Sequence, residues 1–435
     1  MRASMNCPRC VLLLLLLLLL LLLGAIGPVA AAEPADPAKA PAAKPGQPNA
    51  PPGQPAASPF PVKSTEGLPY VYTHWKHITT KEGLPNDHIF SVKADGPRVW
   101  IGTENGLACL DKRTGKVRTW KQRKEGETEG LPWKVVTAID VDPKTGDVWL
   151  GLFGGGIARL SGGRFDHFHQ LNSGLVNDVV YGIAVQDDNV WVATTAGANR
   201  YNKVTGQWST FTEKNAPMEE IWNYAVSYNG KGRIHLGVWG SGCLEFDVKT
   251  ERWTPYLDPD GEMEIDLFRD DGIIHVIVTG ASEAEDILWI STYFGTCRYD
   301  RRNWRGFYAS QTGLPSDFTN NVKARNADEC WFSHDKGLGV IADFPTMSVV
   351  SYTRDPETLR GKAQVYRDGT LVTTVDMEKG VPHSFNICAD FDGNDVWVGT
   401  SKGLGQAIGT GYYRGVQEKP QWLTGKNKPA PSGPK

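Results

Sequence analysis

The sequence predicts an all-β chain, a seven-bladed β-propeller of four-stranded antiparallel blades. Three observations carry this. The stretch Val99–Leu107, VWIGTENGL, returns in altered form at Val148–Ile157, Val190–Ala198, Leu288–Thr296, Cys330–Leu338 and Val396–Leu404. Each copy is an apolar run around a central Trp, then small residues, then a loop reaching Gly. The copies recur at a period of forty to fifty residues, which signals a repeat architecture and, with four strands per repeat, a propeller. Finally, 48 Gly and 15 Trp in 435 residues supply many tight turns and one large apolar plug per blade. A ring of small sheets also lets some 350 residues fold without one oversized core, because each blade packs only on its neighbours.

In chain order, residues 1–32 read as a secretory signal. Arg2 and Arg9 form the positive end, Val11–Leu23 the leucine-dominated core, and Ala30–Ala32 the small residues before cleavage. Adding Gly24–Ala32 gives the alternative of an uncleaved membrane anchor. Cys10 precedes the leucine run, so it does not fit a lipoprotein site. Residues 33–67 are Pro/Ala-rich and nearly without aromatic or β-branched residues; such a stretch cannot bury enough surface to fold, and is expected to be a disordered linker. The propeller is expected over residues 68–418 and a disordered tail over 419–435.

Within the propeller, Tyr72–Thr79 alternates like a strand. Gly83–Asp87 is a loop, His88–Ala94 an inner strand, and the Trp100 strand follows the Gly96-Pro97 turn. Leu107–Asp111 and Val117–Lys121 complete a meander of inner, Trp, third and outer strands. Entry loops of the same kind recur at Gly130, Gly174, Ala216, Gly313 and Gly380. Trp100 and Trp149 lie 49 residues apart, Trp149 and Trp191 lie 42 apart, and Trp289 and Trp331 again 42. The 98 residues from Trp191 to Trp289 hold two periods, the missing copy being Ile234–Val238 with His235 in the Trp slot. The 66 residues from Trp331 to Trp397 exceed one blade; the excess at Arg354–Lys379 contains a hairpin, Gln364–Val375, turning at Asp368-Gly369. Seven copies result. The N-terminal strand Tyr72–Thr79 is expected to complete the last blade and protect its edges, with Tyr412–Val416 the competing candidate.

The pattern GLPxD, inner strand, W-I-G-T-x-x-G-L, third strand ending in Asp and T-G turn resembles the two-component regulator propeller repeat. It is clearest at Gly83–Trp120 and Gly174–Trp208 and extends in graded quality over Tyr70–Gln417. The fourth copy and the 354–379 insertion depart from it. Such repeats form the periplasmic sensor region of some hybrid histidine kinases and occur in stand-alone exported proteins. Known members carry fourteen repeats in two propellers with a transmembrane helix and kinase, whereas seven repeats and no kinase or receiver pattern are found here. The resemblance therefore implies an exported, periplasmic or secreted, sensor-like binding module.

Composition narrows the partners. A net charge of −3 gives no footprint for nucleic acid, and no like-charge block suggests a membrane-surface patch. Membrane contact is expected only through an N-terminal anchor. The five cysteines beyond the leader (Cys109, Cys243, Cys297, Cys330, Cys388) sit in apolar strand patterns and read as small buried hydrophobes, not a disulfide framework.

In a four-strand meander the loop entering the inner strand and the loop after the Trp strand share one face of the disc. Their residues form the candidate ligand site: Asp87, His88, Glu104, Trp133, Phe153, Glu219, Trp239, Tyr293, Phe294, Phe318, His334 and Lys336. A concave face with aromatic platforms and a few polar groups is the usual composition of such a site. Asp87, Asp178 and Asp317 fill one repeat position, which points to loop stabilisation before a cation-binding acidic ring. The Trp-slot residues read as inter-blade packing. Trp133, Trp239, Tyr293 and Phe294 sit in loops, where ligand stacking competes with local packing. His167 and His169 share a strand face without a third ligand nearby, so no metal site is expected there.

No GxSxG elbow, HExxH, Walker loop or dinucleotide fingerprint is present, and no cofactor is expected. Streptogramin lyases are also seven-bladed propellers with few motifs. An enzyme using His334 or His383 with a divalent cation is therefore the alternative to a non-catalytic module binding a small molecule, a glycan or a protein of the cell envelope; a purely structural scaffold is the third reading.

Overall fold

The computed structural model describes residues 68–127, 129–258 and 272–409. The leader, the linker before Leu68, Tyr412–Val416 and the tail lie outside the described residues. Seven antiparallel sheets follow one another along the chain. Blade 1 spans residues 89–120, blade 2 136–168, blade 3 180–211, blade 4 223–256, blade 5 278–307, blade 6 319–377 and blade 7 386–407. The inner strands neighbour each other in sequence order, and Asn386–Asp392 of blade 7 returns against Ile89–Asp95 of blade 1, which closes the ring.

The closure uses the N-terminal strand. Trp75–Ile78 pairs antiparallel with Gly403–Ala407, Trp75 opposite Ala407 and Ile78 opposite Leu404, as the fourth strand of blade 7. Just before it, buried Tyr72 lies between blades 6 and 7. Its N–H donates to the Tyr352 hydroxyl at 3.0 Å and its hydroxyl to the Asn394 carbonyl at 2.7 Å.

The long Trp331–Trp397 interval is explained by two additional strands. Gly361–Arg367 and Thr370–Met377 extend blade 6 to six strands. Their turn is Asp368-Gly369, both at positive φ (47° and 73°), the geometry that tight hairpins favour.

The repeat also explains its small residues. A side chain at Gly102, two positions after Trp100, would place its Cβ 2.6 Å from the Val136 carbonyl of blade 2. Four positions further on, Gly106 turns the chain at φ 133°, a conformation L-residues avoid. The Thr103 hydroxyl spans this turn to the Gly106 carbonyl at 2.8 Å, as do Thr194, Thr292 and Thr400 to their own glycines.

The core is divided into seven apolar wedges, one between each pair of adjacent blades. Trp100, Trp149, Trp191, Trp289, Trp331 and Trp397 are buried in them. Trp191 meets Phe246 of the next blade at 5.0 Å between ring centres, and Trp289 meets Phe332 at 6.0 Å. The blade 4–5 wedge differs. There, fully buried His235 places Nε2 2.9 Å from Glu245 Oε2 and 3.3 Å from Glu283 Oε2, and Arg301 bonds both carboxylates at 2.6 Å. Arg233 adds a third 2.6 Å contact, to Glu283. Burial would raise the Glu245 carboxyl, but hydrogen bonds and charge from His235 and Arg301 outweigh it and hold the group at about 2. In six wedges the slot holds an indole; in this one it holds His235, whose ion cluster lies beside apolar residues such as Ile274, Leu288 and Trp304.

Ionic contacts also link inner strands. Lys93 of blade 1 bridges to Asp140 of blade 2 at 2.7 Å, and Lys323 of blade 6 to Asp390 of blade 7 at 3.0 Å. The second oxygen of each Asp accepts a backbone N–H from the following blade, Val185 and Ala94 respectively. The five cysteines are free and largely buried. Among the described residues, no helix is long and apolar enough to cross a membrane.

Candidate functional site

One backbone hydrogen bond, repeated seven times, assembles the loop face. In every blade the N–H that opens the loop after the Trp strand donates to the carbonyl just before the inner strand. The pairs are Glu104 to His88, Phe153 to Val135, Thr195 to Val179, Trp239 to Trp222, Tyr293 to Ile277, Asp335 to Phe318 and Ser401 to Phe385, at 2.8–3.3 Å. The two loop sets therefore lie side by side in each blade, as the meander requires.

A second repeated feature was not legible in the sequence. Each inner strand carries a β-bulge at its first turn of pairing, and the bulged residues are Phe90, Thr137, Tyr181, Tyr224, Thr279, Asn320 and Ile387. A bulge re-aims one side chain and leaves the rest of the ladder in register. The polar members reach the next blade. Thr137 donates to Val180 O at 2.6 Å, Thr279 to Thr319 O at 2.6 Å, and Asn320 to Asn386 O at 2.7 Å. Tyr181 and Tyr224 instead stack on each other, ring centres 4.8 Å apart.

These two tyrosines join the loop aromatics into one platform across blades 2 to 6. Phe153 meets Tyr181 edge-on at 5.7 Å. Trp222 stacks on Trp239 at 5.3 Å, and Trp239 meets Tyr293 edge-on at 5.3 Å. Tyr293 stacks on Phe318 at 4.0 Å and donates its hydroxyl to that of Tyr224 at 3.3 Å. Burial pushes the hydroxyls of Tyr181, Tyr224 and Tyr293 up, so all three remain protonated. Phe153, Tyr181, Trp222, Tyr224, Trp239 and Phe318 are each only partly buried. Of these seven rings, sequence reasoning found Phe153, Trp239, Tyr293 and Phe318; Tyr181, Trp222 and Tyr224 were hidden within and beside strands.

The remaining candidates divide. Glu219 and Lys336 are exposed on the face. His88 stacks on Phe90 at 4.6 Å, and burial lowers its pKa against the opposing pull of Glu104. Asp87 serves its loop: Oδ1 accepts the Thr80 N–H at 2.6 Å, as Asp178 accepts Gln170 and Asp317 accepts Ala309. The backbone carbonyls of the same three residues bind Gly403, Gly156 and Gly295 of the preceding blades, so this repeat position joins neighbouring blades. Trp133 donates Nε1 to the Phe153 carbonyl at 2.6 Å, and a Cβ at Gly155 would lie 2.4 Å from Trp133 Cβ and Cγ; its ring packs on that glycine loop. Phe294 packs on His275 at 4.2 Å. At Trp133 and Tyr293 local packing is therefore observed: the first braces a loop, and the second is buried between rings.

Both histidines considered for acid–base work are engaged by the protein itself. His334 occupies the slot filled elsewhere by Thr103, Thr194, Thr292 and Thr400, beneath its loop. It is fully buried, bonded at Nδ1 to Thr319 Oγ1 at 3.1 Å, and burial lowers its pKa to about 3. It cannot reach a ligand on the face. His383 fills the slot in which Asn86, Asn177 and Ser316 cap a backbone N–H two residues on. Its Nδ1 accepts from Phe385 N at 3.0 Å and lies 2.8 Å from Ser401 Oγ, so the neutral ring carries its proton on Nε2. Burial, with Lys402 and Arg354 nearby, lowers its pKa; Nε2–H can donate to a ligand but is not a poised base.

Among the described residues, His235, Glu245 and Glu283 are the group whose ligand atoms lie close enough to hold a metal, all within 4.8 Å. They lie inside the blade 4–5 wedge, with both carboxylates already bound by Arg301. His167 and His169 form no such group: His167 Nε2 bonds the Gly155 carbonyl and His169 Nδ1 accepts from Leu171 N.

Neither a protein-family model nor a curated protein matches the sequence. Solved structures do match in fold. The extracellular domain of the hybrid two component system BT3049 from B. thetaiotaomicron aligns with a TM-score of 0.55 at 14% identity, over 76% of this chain and 41% of that one. The corresponding domain of BT4673 from the same organism gives 0.56 at 14% identity, over 77% and 40%. A catalytically inactive form of virginiamycin B lyase from Staphylococcus aureus, with quinupristin, gives 0.53 at 12% identity, over 77% and 98%. What is shared is the propeller. The chain spans about 40% of the length of the two-component structures it matches.

Proposed function

We propose that this chain is an exported, non-catalytic, sensor-like propeller that binds a small molecule, a glycan or an envelope protein on its loop face. The observation that carries the reading is the aromatic platform. Partly exposed rings from blades 2, 3, 4 and 6 converge there around buried Tyr293, although the inter-blade wedges already hold those blades together. Concentrating apolar surface with a few polar groups on one concave face is how ligand sites are built. The periplasmic or secreted location is supported by the leader pattern and by the likeness in fold to extracellular domains. A panel of glycans and metabolites, read by thermal shift on the purified chain, tests it. Binders should raise the melting temperature of the native protein and lose that effect in Trp239→Ala. A panel whose hits are all retained in Trp239→Ala would move the site elsewhere.

The second reading is a metal-assisted lyase or hydrolase on the same face, favoured by the alignment over nearly all of virginiamycin B lyase. It predicts chelator-sensitive turnover abolished by His383→Ala. The burial of His334 and the engagement of His383 Nδ1 weigh against it.

A further inference from the structure

We infer that the platform recognises an organic cation, an alkylammonium group held against the Trp222–Trp239 stack and neutralised by Glu219 and Glu220. This rests on the reading of the loop face as a ligand site. The molecule contains its own control. Four of its six Trp-slot rings are covered by its own guanidinium groups: Arg98 lies 5.6 Å from the Trp100 ring, Arg159 5.7 Å from Trp149, Arg200 5.8 Å from Trp191 and Arg298 5.5 Å from Trp289. Among the described residues, no Lys or Arg covers a ring of the platform. An aromatic face carries negative potential, and an uncovered cluster of such faces attracts a desolvated cation.

The anionic complement is built into the adjoining loop. The N–H groups of Glu219 and Glu220 both donate to the buried Ser241 hydroxyl, at 2.9 and 2.8 Å, which ties this loop to the one that opens at Trp239. Glu220 lies over Gly240: a Cβ there would stand 2.9 Å from Glu220 Cγ, so the absent side chain leaves room for the acid beside Trp239. Trp222 follows two residues after Glu220, and its carbonyl accepts the Trp239 N–H at 2.8 Å. Both Glu side chains are exposed, and neither pairs with a cation among the described residues. Two free carboxylates at the edge of a stacked indole pair disfavour an anion and favour a cation whose apolar substituents rest on the rings.

Choline and 3,3-dimethylbutanol, its neutral isostere with carbon in place of nitrogen, separate charge from shape. Both are titrated into the full-length protein and followed by tryptophan fluorescence and calorimetry. Choline is expected to bind at least about tenfold more tightly than the isostere and to weaken as salt is raised. The double variant Glu219→Gln/Glu220→Gln should lose about tenfold in choline affinity with unchanged thermal unfolding, and Trp239→Ala should lose choline binding. Equal affinity for the two probes, or no response to choline, overturns the assignment. If a panel compound then binds in a Trp239-dependent way while choline does not, the face stands as a ligand site and only its cationic specificity falls.

Discussion

Two neighbouring wedges of the ring solve the same packing problem by different chemistry. Between blades 5 and 6, Trp289 is sealed among Phe307, Phe332 and Phe344. Between blades 4 and 5, the equivalent position is His235, and the space around it is shared by two carboxylates and two guanidinium groups, beside an apolar cluster that includes Trp304. The apolar wedge gains from burial whatever the solution conditions. The ionic wedge must offset the desolvation of every charge with a hydrogen bond, so its contribution depends on each partner being present. The repeat therefore specifies a volume to be filled, and the filling can be indole or a satisfied ion cluster.

The contrast can be broken at graded cost. Trp289→Ala leaves a large cavity and should lower unfolding free energy by about 3–5 kcal/mol in denaturant titration. Arg301→Met leaves Glu245 and Glu283 facing each other with less compensation, for an expected loss of about 3 kcal/mol; a neutral result would mean that the cluster contributes little. Acid separates the wedges further. The Glu245 carboxyl ionises more readily folded than unfolded, so its stabilisation, about 2–3 kcal/mol, is complete above the ordinary carboxylate range and fades as pH falls towards about 2. The pH dependence of unfolding should show that limb in the native protein and a smaller one in Arg301→Met, where the His235 contact remains. Trp239→Ala, at the half-buried platform, should cost about 1 kcal/mol. A loss as large as that of Trp289→Ala would identify Trp239 as core.

These differences also mark how far the sequence could be read. Blade number, the N-terminal closing strand and the Asp368-Gly369 hairpin follow from spacing and turn chemistry, because a repeat fixes where each strand must fall. The face was legible only where a residue sits in a loop. Tyr181 and Tyr224 look like ordinary strand residues until the bulge turns them, and a bulge depends on register with a partner strand that local pattern does not encode. The signal was present in another form: Phe90, Thr137, Tyr181, Tyr224, Thr279, Asn320 and Ile387 share one repeat position and vary in chemistry, whereas most of their neighbours are small or apolar. His334 misled for the converse reason. Its HDKG stretch reads as an exposed loop, but alignment with Thr103 and Thr400 places it under the turn, where only its backbone belongs to the loop.

The joining of the first strand to the last sheet has a mechanical consequence. A pull delivered through the residues before Tyr72 meets the Tyr72 anchor first and then the four-residue pairing of Trp75–Ile78 with Gly403–Ala407. Every other blade, with its strands consecutive in the chain, is shielded behind that latch. Under tension this molecule should yield at its seam, shedding one short strand before any blade is torn.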